Sequence, residues 1–326
     1  MTVTLLVLAI ALLLDRLVGD PPWLWNRVPH PVVLFGWAIS ALDGMFNGKR
    51  MRAETRRFNG VVAIGALLSL ALVTGYVIHM LLLLLGWAGL LVEAVIVALF
   101  LAQKSLADHV GAVAQGLKTG GLEGGRQAVS MIVGRDPATL DEPAVCRAAI
   151  ESLAENFSDG VVAPTLWYAL LGLPGLLAYK MLNTADSMIG HKNAKYLDFG
   201  WASARLDDIA NWPAARFSIL LIALGAWRTE GRRAAQAALD VGLRDSGLHR
   251  SPNSGWPEAA MAGALGIGLA GPRIYGGVRV DEPMINAGGR TVATSADIRR
   301  GLSVFGRACD GLALLAVTGA LVAAAI

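Results

Sequence analysis

Charge is scarce in this chain: Asp, Glu, Lys and Arg together make up 16% of its 326 residues, against about a quarter in ordinary soluble domains. Apolar residues reach 55% before the 38 glycines are added, which leaves too little polar surface to coat a soluble body of this length. Cysteine is nearly absent. Cys146 and Cys309 stand 163 residues apart, in neither metal-binding nor redox spacing, which excludes a disulfide scaffold. Basic excess is small, 28 Lys and Arg against 25 Asp and Glu with no basic tail, so nucleic acid is a poor partner. Also missing are G-x-x-x-x-G-K-[ST], a G-x-G-x-x-G after a strand, H-E-x-x-H and C-x-x-C, so any nucleotide chemistry uses a site of another kind. No period of 20–50 residues marks a repeat array, and strand-like runs are few, with 277–280 a weak exception. What remains is an all-α, polytopic integral membrane protein.

The charges that are present organise it. Met1 to Leu14 are uncharged, with neither the basic flank nor the small-residue cleavage site of a signal peptide, and read as a retained span or membrane-dipping helix. Gly60 to Val92 is uncharged for 33 residues; Glu93 follows, then ten more uncharged residues before Lys104. That stretch is about 66 Å as helix, enough to cross a roughly 30 Å core twice. A helical hairpin over 60–103, turning at Gly86-Trp87-Ala88-Gly89, is expected. Lys49, Arg50, Arg52, Arg56 and Arg57 crowd before it while its turn is uncharged, so both ends are expected in the cytoplasm and 104–160 begins as a cytoplasmic segment. Gly160–Tyr179 is apolar but cut by Pro164 and Pro174. Phe217–Trp227 and Ala259–Pro272 suit re-entrant or buried helices as well as spans. The tail from Gly311 is a last span if it recruits Arg307–Asp310. Four or five spans with re-entrant or short helices and cytoplasmic loops are expected, in one membrane-embedded domain over 1–326. Trp25, Trp87, Trp227 and Trp256 sit at edges of apolar runs, as interfacial anchors or as packing.

Polar chemistry concentrates between 104 and 216. Gly134-Arg135-Asp136-Pro137 reads as a loop leading to a helix that carries Glu151, Glu155 and Asp159 at i, i+4 and i+8, on one face. Like charges at that spacing repel. Either a hard cation such as Mg²⁺ with bound phosphate offsets them, or they form a solvated face paired to arginines such as Arg147. Asn156-x-x-Asp159 and Asn183-x-x-Asp186 repeat one pattern at the two ends of a proline-broken stretch. If that stretch is a re-entrant hairpin, both face the same aqueous side. His191, Lys192, Lys195 and Arg205 could neutralise phosphate or a carboxylate, or lie among lipid head groups. Asp207-Asp208 beside Arg205 reads as site or salt bridge. His30, between Pro29 and Pro31, is rigidly placed, and 249–258 forms a polar loop in which Ser251 or Asn253 could cap a helix or close over a ligand. His79 and His109 read as structural.

Taken in order, these motifs resemble one family. Asp15–Pro22 with His30-Pro31-Val32, the core from Glu151 to Pro164, Tyr179–Met188, Phe199–Asp208 and Ser251–Pro257 are similar to the CobD/CbiB family, the adenosylcobinamide-phosphate (cobinamide) synthases. The resemblance covers nearly the whole chain. Phe157-Ser158, and His191 where an aromatic residue is usual, depart from its pattern.

The resemblance implies an ATP-dependent acid–amine ligase of the inner membrane with a cytoplasmic active face. It would join the f propionate of cobyric acid, a corrinoid, to (R)-1-aminopropan-2-ol or its O-phosphate. ATP and Mg²⁺ are implied by the resemblance, not by a nucleotide motif. Glu151, Glu155, Asp159, Asp186, Asp207 and Asp208 become metal ligands, base or ammonium ligands, with Mg²⁺ placed on Glu155, Asp159 and Asp186. His30, Asn156, Lys180, Asn183, Lys192, Arg205 and Asn253 become substrate or phosphate contacts. Partners expected are membrane lipid and, as protein, a second copy or other corrin-pathway membrane enzymes. Two other readings stand beside this one: a Mg²⁺-dependent intramembrane prenyl- or phosphotransferase, and a non-catalytic membrane sensor relative.

Overall fold

A computed structural model describes residues 1–133, 137–271, 273–275 and 278–325. In chain order the helices are α1 (Thr2–Leu17), α2 (Pro22–Trp25), α3 (Pro31–Phe46), α4 (Ala53–Leu83), α5 (Trp87–Ala98) and α6 (Gln103–Val129). There follow α7 (Glu142–Phe157), α8 (Ala163–Ile189), α9 (Trp201–Thr229), α10 (Arg232–Asp245), α11 (Gly255–Leu265) and α12 (Ser295–Ala325). Short strands β1 (Leu269–Ala270), β2 (Arg273–Tyr275), β3 (Val278–Val280) and β4 (Met284–Ile285) lie between α11 and α12, pairing β1 with β4 and β2 with β3, both antiparallel. The strand expected at 277–280 is thus β3, Gly277 being outside the described residues. Gly134-Arg135-Asp136, Pro272 and Ile326, which the sequence reading also used, are outside them too.

Five helical stretches among the described residues are long and apolar enough to cross a membrane: Ala53–Leu83, Trp87–Val129, Glu142–Ile189, Trp201–Thr229 and Ser295–Ala325. The chain is an all-α polytopic membrane protein, at the upper end of the expected span number. α1, with 16 residues, is about 24 Å long and falls short of a full crossing. The chain divides into two compact units, one of Met1–Leu101, Ala163–Asn211 and Ala316–Ile326, the other of Ala102–Val162 and Trp212–Leu315.

In the first unit the expected hairpin is present. α4 and α5 are joined at Gly86, whose φ of 56° belongs to the left-handed region that glycine enters without a Cβ clash. α4 lies against α8 so closely that a Cβ on Gly75 would sit 2.6 Å from Pro174 Cα. α1 packs on α5 and α8, and α3 on α4 and α8. α8 is not one straight helix: Gly172 has φ 65° and ψ −155°, and a Cβ on Gly175 would stand 2.6 Å from Trp167 O, so the chain doubles back on itself there. Pro174 opens the second arm, where its missing N–H costs nothing. Pro164, expected to cut this stretch too, instead directly follows the π turn Ser158–Val162, and the helix runs on through it. The apolar stretch is therefore broken once, at Gly172–Pro174.

The charge that interrupts the hairpin is fully enclosed. Glu93 is buried, with Oε2 2.8 Å from His79 Nδ1 and Oε1 accepting from Tyr168 Oη at 2.7 Å. His79 thus faces a buried partner within the hairpin. Phenylalanine at 168 removes that donor and leaves a buried carboxylate oxygen bare, which typically costs about 1–2 kcal/mol. Tyr168→Phe should lower the thermal midpoint of the detergent-solubilised protein. An unchanged midpoint would show that the hydroxyl carries no weight there.

In the second unit α6 is itself folded at Gly121 (φ 60°), α7 packs on α6 and α11, and α10 on α11. α7 starts with its cap in place: Asp141 Oδ1 accepts from Ala144 N at 2.9 Å, and Glu142 sits in the first turn. The short run at 259 becomes α11, buried along nearly its whole length, as a helix apolar on all sides must be. Phe217–Trp227 is instead the last part of the 29-residue α9, and the tail run does recruit Arg307–Asp310 into α12, with Arg307 Nη1 3.0 Å from Asp310 Oδ2.

Candidate active site

Helical spacing lines up Tyr179, Lys180, Asn183 and Asp186 along the second arm of α8, and Asp207, Asp208 and Asn211 along the start of α9. The two segments meet. Asn211 Nδ2 donates to Asp207 Oδ2 at 2.8 Å, Asn183 Nδ2 lies 3.4 Å from Asp207 Oδ1, and Tyr179 Oη donates to Asn211 Oδ1 at 2.8 Å. Asp207 and Asn211 are both buried. Among the described residues the hydrogen-bond partners of Asp207 are neutral amides, which orient a carboxylate without cancelling its charge. The charges of Asp186 and Asp208 act on Asp207, while those of Lys192 and Arg205 act on Asp208 and that of His191 on Asp186. Thus Asn183, Asp186, Lys192, Arg205, Asp207 and Asp208 gather in one unit, with Lys180 one turn before Asn183. Asn211 and Tyr179 are site residues the sequence reading did not select. The signal was available: Asn211 is four residues after Asp207, and Tyr179 four before Asn183.

This group lies at the same end of its unit as the basic segment. Arg56 Nη2 meets Asp198 Oδ2 at 2.7 Å, and the Arg57 guanidinium lies 3.8 Å from the centroid of the Trp201 ring. Beside them Asp43 accepts from Lys195 Nζ at 2.7 Å, Asn47 Nδ2 at 2.9 Å and Tyr196 Oη at 3.2 Å. Burial pushes the Asp43 carboxyl up, but these hydrogen bonds outweigh it and hold it below the usual carboxylate value. The bond to Asp43 raises Lys195 correspondingly. The sign follows: the tie is complete above the ordinary Asp pKa and is lost as pH falls through the lowered folded value. At the alkaline end it is lost only as pH rises through a value above the usual one for lysine. The difference in thermal midpoint between wild type and Lys195→Met should therefore hold steady from about pH 5 to 8 and shrink below about pH 4. A difference that widens on acidification contradicts this.

His30 takes a structural position. Its Nδ1 accepts from Val32 N at 3.2 Å as the N-cap of α3, its Nε2 lies 3.6 Å from Asp20 Oδ1, and its ring meets Trp25 edge-on at 4.5 Å. Trp25 packs there, whereas Trp87 and Trp227 are exposed as interfacial anchors would be.

The other half of the expected set belongs to the second unit. Glu151 Oε1 accepts from Ala270 N at 2.8 Å, and Glu155 Oε1 from Ser254 Oγ at 2.8 Å. Asn156 turns back on its own helix, donating to Ser152 O at 2.9 Å. Asp159 lies in a π-helical turn, Ser158–Val162. Such turns recur at functional sites. Asn253, also buried, accepts from Arg216 Nη1 at 2.8 Å.

The proposed metal ligands divide likewise, Glu155 and Asp159 in the second unit and Asp186 in the first. Among the described residues no three His, Cys, Asp or Glu side chains form a set that could hold a metal alone. Mg²⁺ needs less than that, since one or two carboxylates suffice when waters and substrate phosphates complete its shell. Any two of Asp186, Asp207 and Asp208 would offer the hard oxygens for such a shell.

Comparison with known proteins follows the same direction. The family model described as CobD/Cbib protein matches residues 8–305. A "Cobalamin biosynthesis protein CobD" of Sinorhizobium sp is 70% identical over 309 residues, 95% of this chain and 96% of the relative. Proteins of the same description are 65% identical in Rhizobium meliloti, over 97% of each chain, and 45% identical in Rhodobacter capsulatus, over 95% of each. No solved structure matches the chain significantly.

Proposed function

This chain belongs to the CobD/Cbib family, and on that footing we propose that it is an enzyme of cobalamin biosynthesis. It acts on a corrinoid, joining the f propionate of (adenosyl)cobyric acid to (R)-1-aminopropan-2-ol or its O-phosphate, with ATP as driver. The observation that carries this reading is Asp207, a buried carboxylate fixed by two neutral amides, with Asp186 and Asp208 beside it and Lys192 and Arg205 at its flank. Such a group can take a cation and an oxyanion together.

Condensing a carboxylate with an amine in water is uphill, and carboxylate oxygen is a poor leaving group. Activation solves both. A propionate oxygen attacks the terminal phosphorus of ATP, ADP leaves, and an acyl phosphate forms. The amine nitrogen then attacks the carbonyl carbon, phosphate departs, and the amine proton passes to a carboxylate. Lys192 and Arg205, with Lys180 on the neighbouring turn, offset the phosphate charge. Asp207 and Asp208 hold the substrate ammonium, or two of Asp186, Asp207 and Asp208 would hold a Mg²⁺, which would supply charge neutralisation for the transferred phosphoryl group. In the first unit Asn183 orients polar groups of the substrates; in the second, taken by itself, Glu151, Glu155 and Asp159 would serve as base or metal ligands and Asn156 and Asn253 as polar contacts.

The protein sits in the inner membrane with this face in the cytoplasm. Support comes from the Arg56–Asp198 contact, which ties the basic segment to the stretch between α8 and α9, together with the preference of Lys and Arg for the cytoplasmic side. The test is genetic. A strain lacking cobinamide synthesis, given this chain, should grow on cobyric acid as it does on cobinamide. Growth on cobinamide alone, with the chain demonstrably inserted, would sink the reading.

A further inference from the structure

Arg216 stands in a candidate span, Trp201–Thr229, directly before the apolar run to Trp227. A cation in such a segment is costly and is normally matched by an anion. Here it is matched by none: among the described residues Arg216 makes no ion pair with a carboxylate. Its guanidinium instead lies 4.5 Å from the centroid of the Trp212 ring, one turn earlier on α9, and 4.5 Å from that of Trp256, in the first turn of α11. Nη1 donates to Asn253 Oδ1 at 2.8 Å and to Trp212 O at 3.1 Å, and Nη2 to Pro252 O at 3.3 Å. All these acceptors are neutral.

The mount is rigid. Ser251 Oγ accepts from Asn253 N and Ser254 N, each at 3.2 Å, and lies 3.2 Å from Ser254 Oγ, which fixes the loop that holds the guanidinium. Ser254 Oγ in turn reaches Glu155 Oε1 at 2.8 Å, tying this loop to α7. A guanidinium carries five N–H donors in a planar fork. The three bonds above leave Nε–H and one hydrogen of Nη2, enough for a two-point contact with a tetrahedral or planar oxyanion. Stacked indoles hold that plane and keep its charge poorly hydrated. The carbonyl oxygen of Asn253 thereby positions the cation.

We propose that Arg216, set between Trp212, Trp256 and the 251–254 loop, is the binding residue of a phosphate-oxyanion site. Only the choice of anion within the reaction, a nucleotide or aminopropanol phosphate, rests on the proposed function. A lipid head-group phosphate presents the same chemistry from another source.

Calorimetric titration of the full chain with pyrophosphate, in a neutral detergent, tests the site without any turnover. Wild type should bind, and Arg216→Gln should bind roughly 10- to 100-fold more weakly. Arg216→Lys keeps the charge but loses the fork and the stacking, so it should lose most of that affinity too, and it serves if the glutamine variant does not fold. A second arm reconstitutes wild type and Arg216→Lys in phosphatidylcholine nanodiscs with and without phosphatidylglycerol and follows tryptophan fluorescence. Pyrophosphate binding that depends on Arg216 identifies a soluble phosphate. An Arg216-dependent response to phosphatidylglycerol alone identifies the lipid. Equal behaviour of wild type and Arg216→Lys in both arms overturns the site.

Discussion

Asp207→Asn should reduce amide-forming turnover by roughly 1000-fold, the scale on which a preorganised charged group acts at a reaction centre. Wild-type Asp207 accepts from two amides, Asn211 at 2.8 Å and Asn183 at 3.4 Å. An asparagine in its place keeps the shape but loses the charge, and it turns one –NH₂ toward a neighbouring donor. Asn211 does not simply rotate to accept it, because its Oδ1 is already held by Tyr179 Oη. A structural loss of about 1–3 kcal/mol therefore accompanies the chemical one. Thermal midpoint and turnover separate the two: the folding loss shifts the midpoint, while the charge loss lowers kcat in protein that remains folded. Near-normal turnover in folded Asp207→Asn would remove this carboxylate from the site.

Gly75→Leu should be among the damaging changes in the membrane-embedded helices, destabilising the protein by about 3 kcal/mol or more. A helix-favouring side chain in place of glycine would on its own gain about 1 kcal/mol. Steric overlap wins, because the new Cβ would sit 2.6 Å from Pro174 Cα and 2.8 Å from Pro174 N. These are backbone atoms just beyond the Gly172 break, and a proline there cannot turn aside. α4 must then separate from α8, and tight contact between small residues is what holds helices together where no water drives them. A fall in detergent resistance and midpoint is the expected measurement, with activity lost in parallel as the site end of α8 shifts. A stable variant would show that α4 and α8 can slide apart without consequence.

The hairpin of α4 and α5 was legible because two signals coincide, an uncharged length sufficient for two crossings and a glycine at its middle. α12 and the re-entrant break of α8 were legible for similar reasons. Pro164 misled because the helix runs on through it directly after the π turn at 158–162, a turn that the sequence does not announce. Residue types of the candidate site were legible as a density of charge in a chain that has little. Their partners were not. Asn183 and Asp186 share a pattern, yet Asn183 reaches Asp207 on the next helix, and Glu151 and Glu155 find donors in Ala270 and Ser254, more than ninety residues away. Arg216 drew no notice, since one arginine before an apolar run looks like ordinary membrane-edge charge.

The sequence by itself determined the solvent this protein folds in, the helices long enough to cross it, the side their basic flanks prefer and the family to which its motifs belong. Composition, length and charge act locally, and they can be read along a line. Tertiary structure alone decided which carboxylates stand together and that, among the described residues, Asp207 is held by amides rather than by a cation and the Arg216 guanidinium is mounted against two indoles with no counter-anion. Electrostatic pairing falls off over a few ångströms of space, and the residues that come that close are chosen by helix packing, not by their order in the chain.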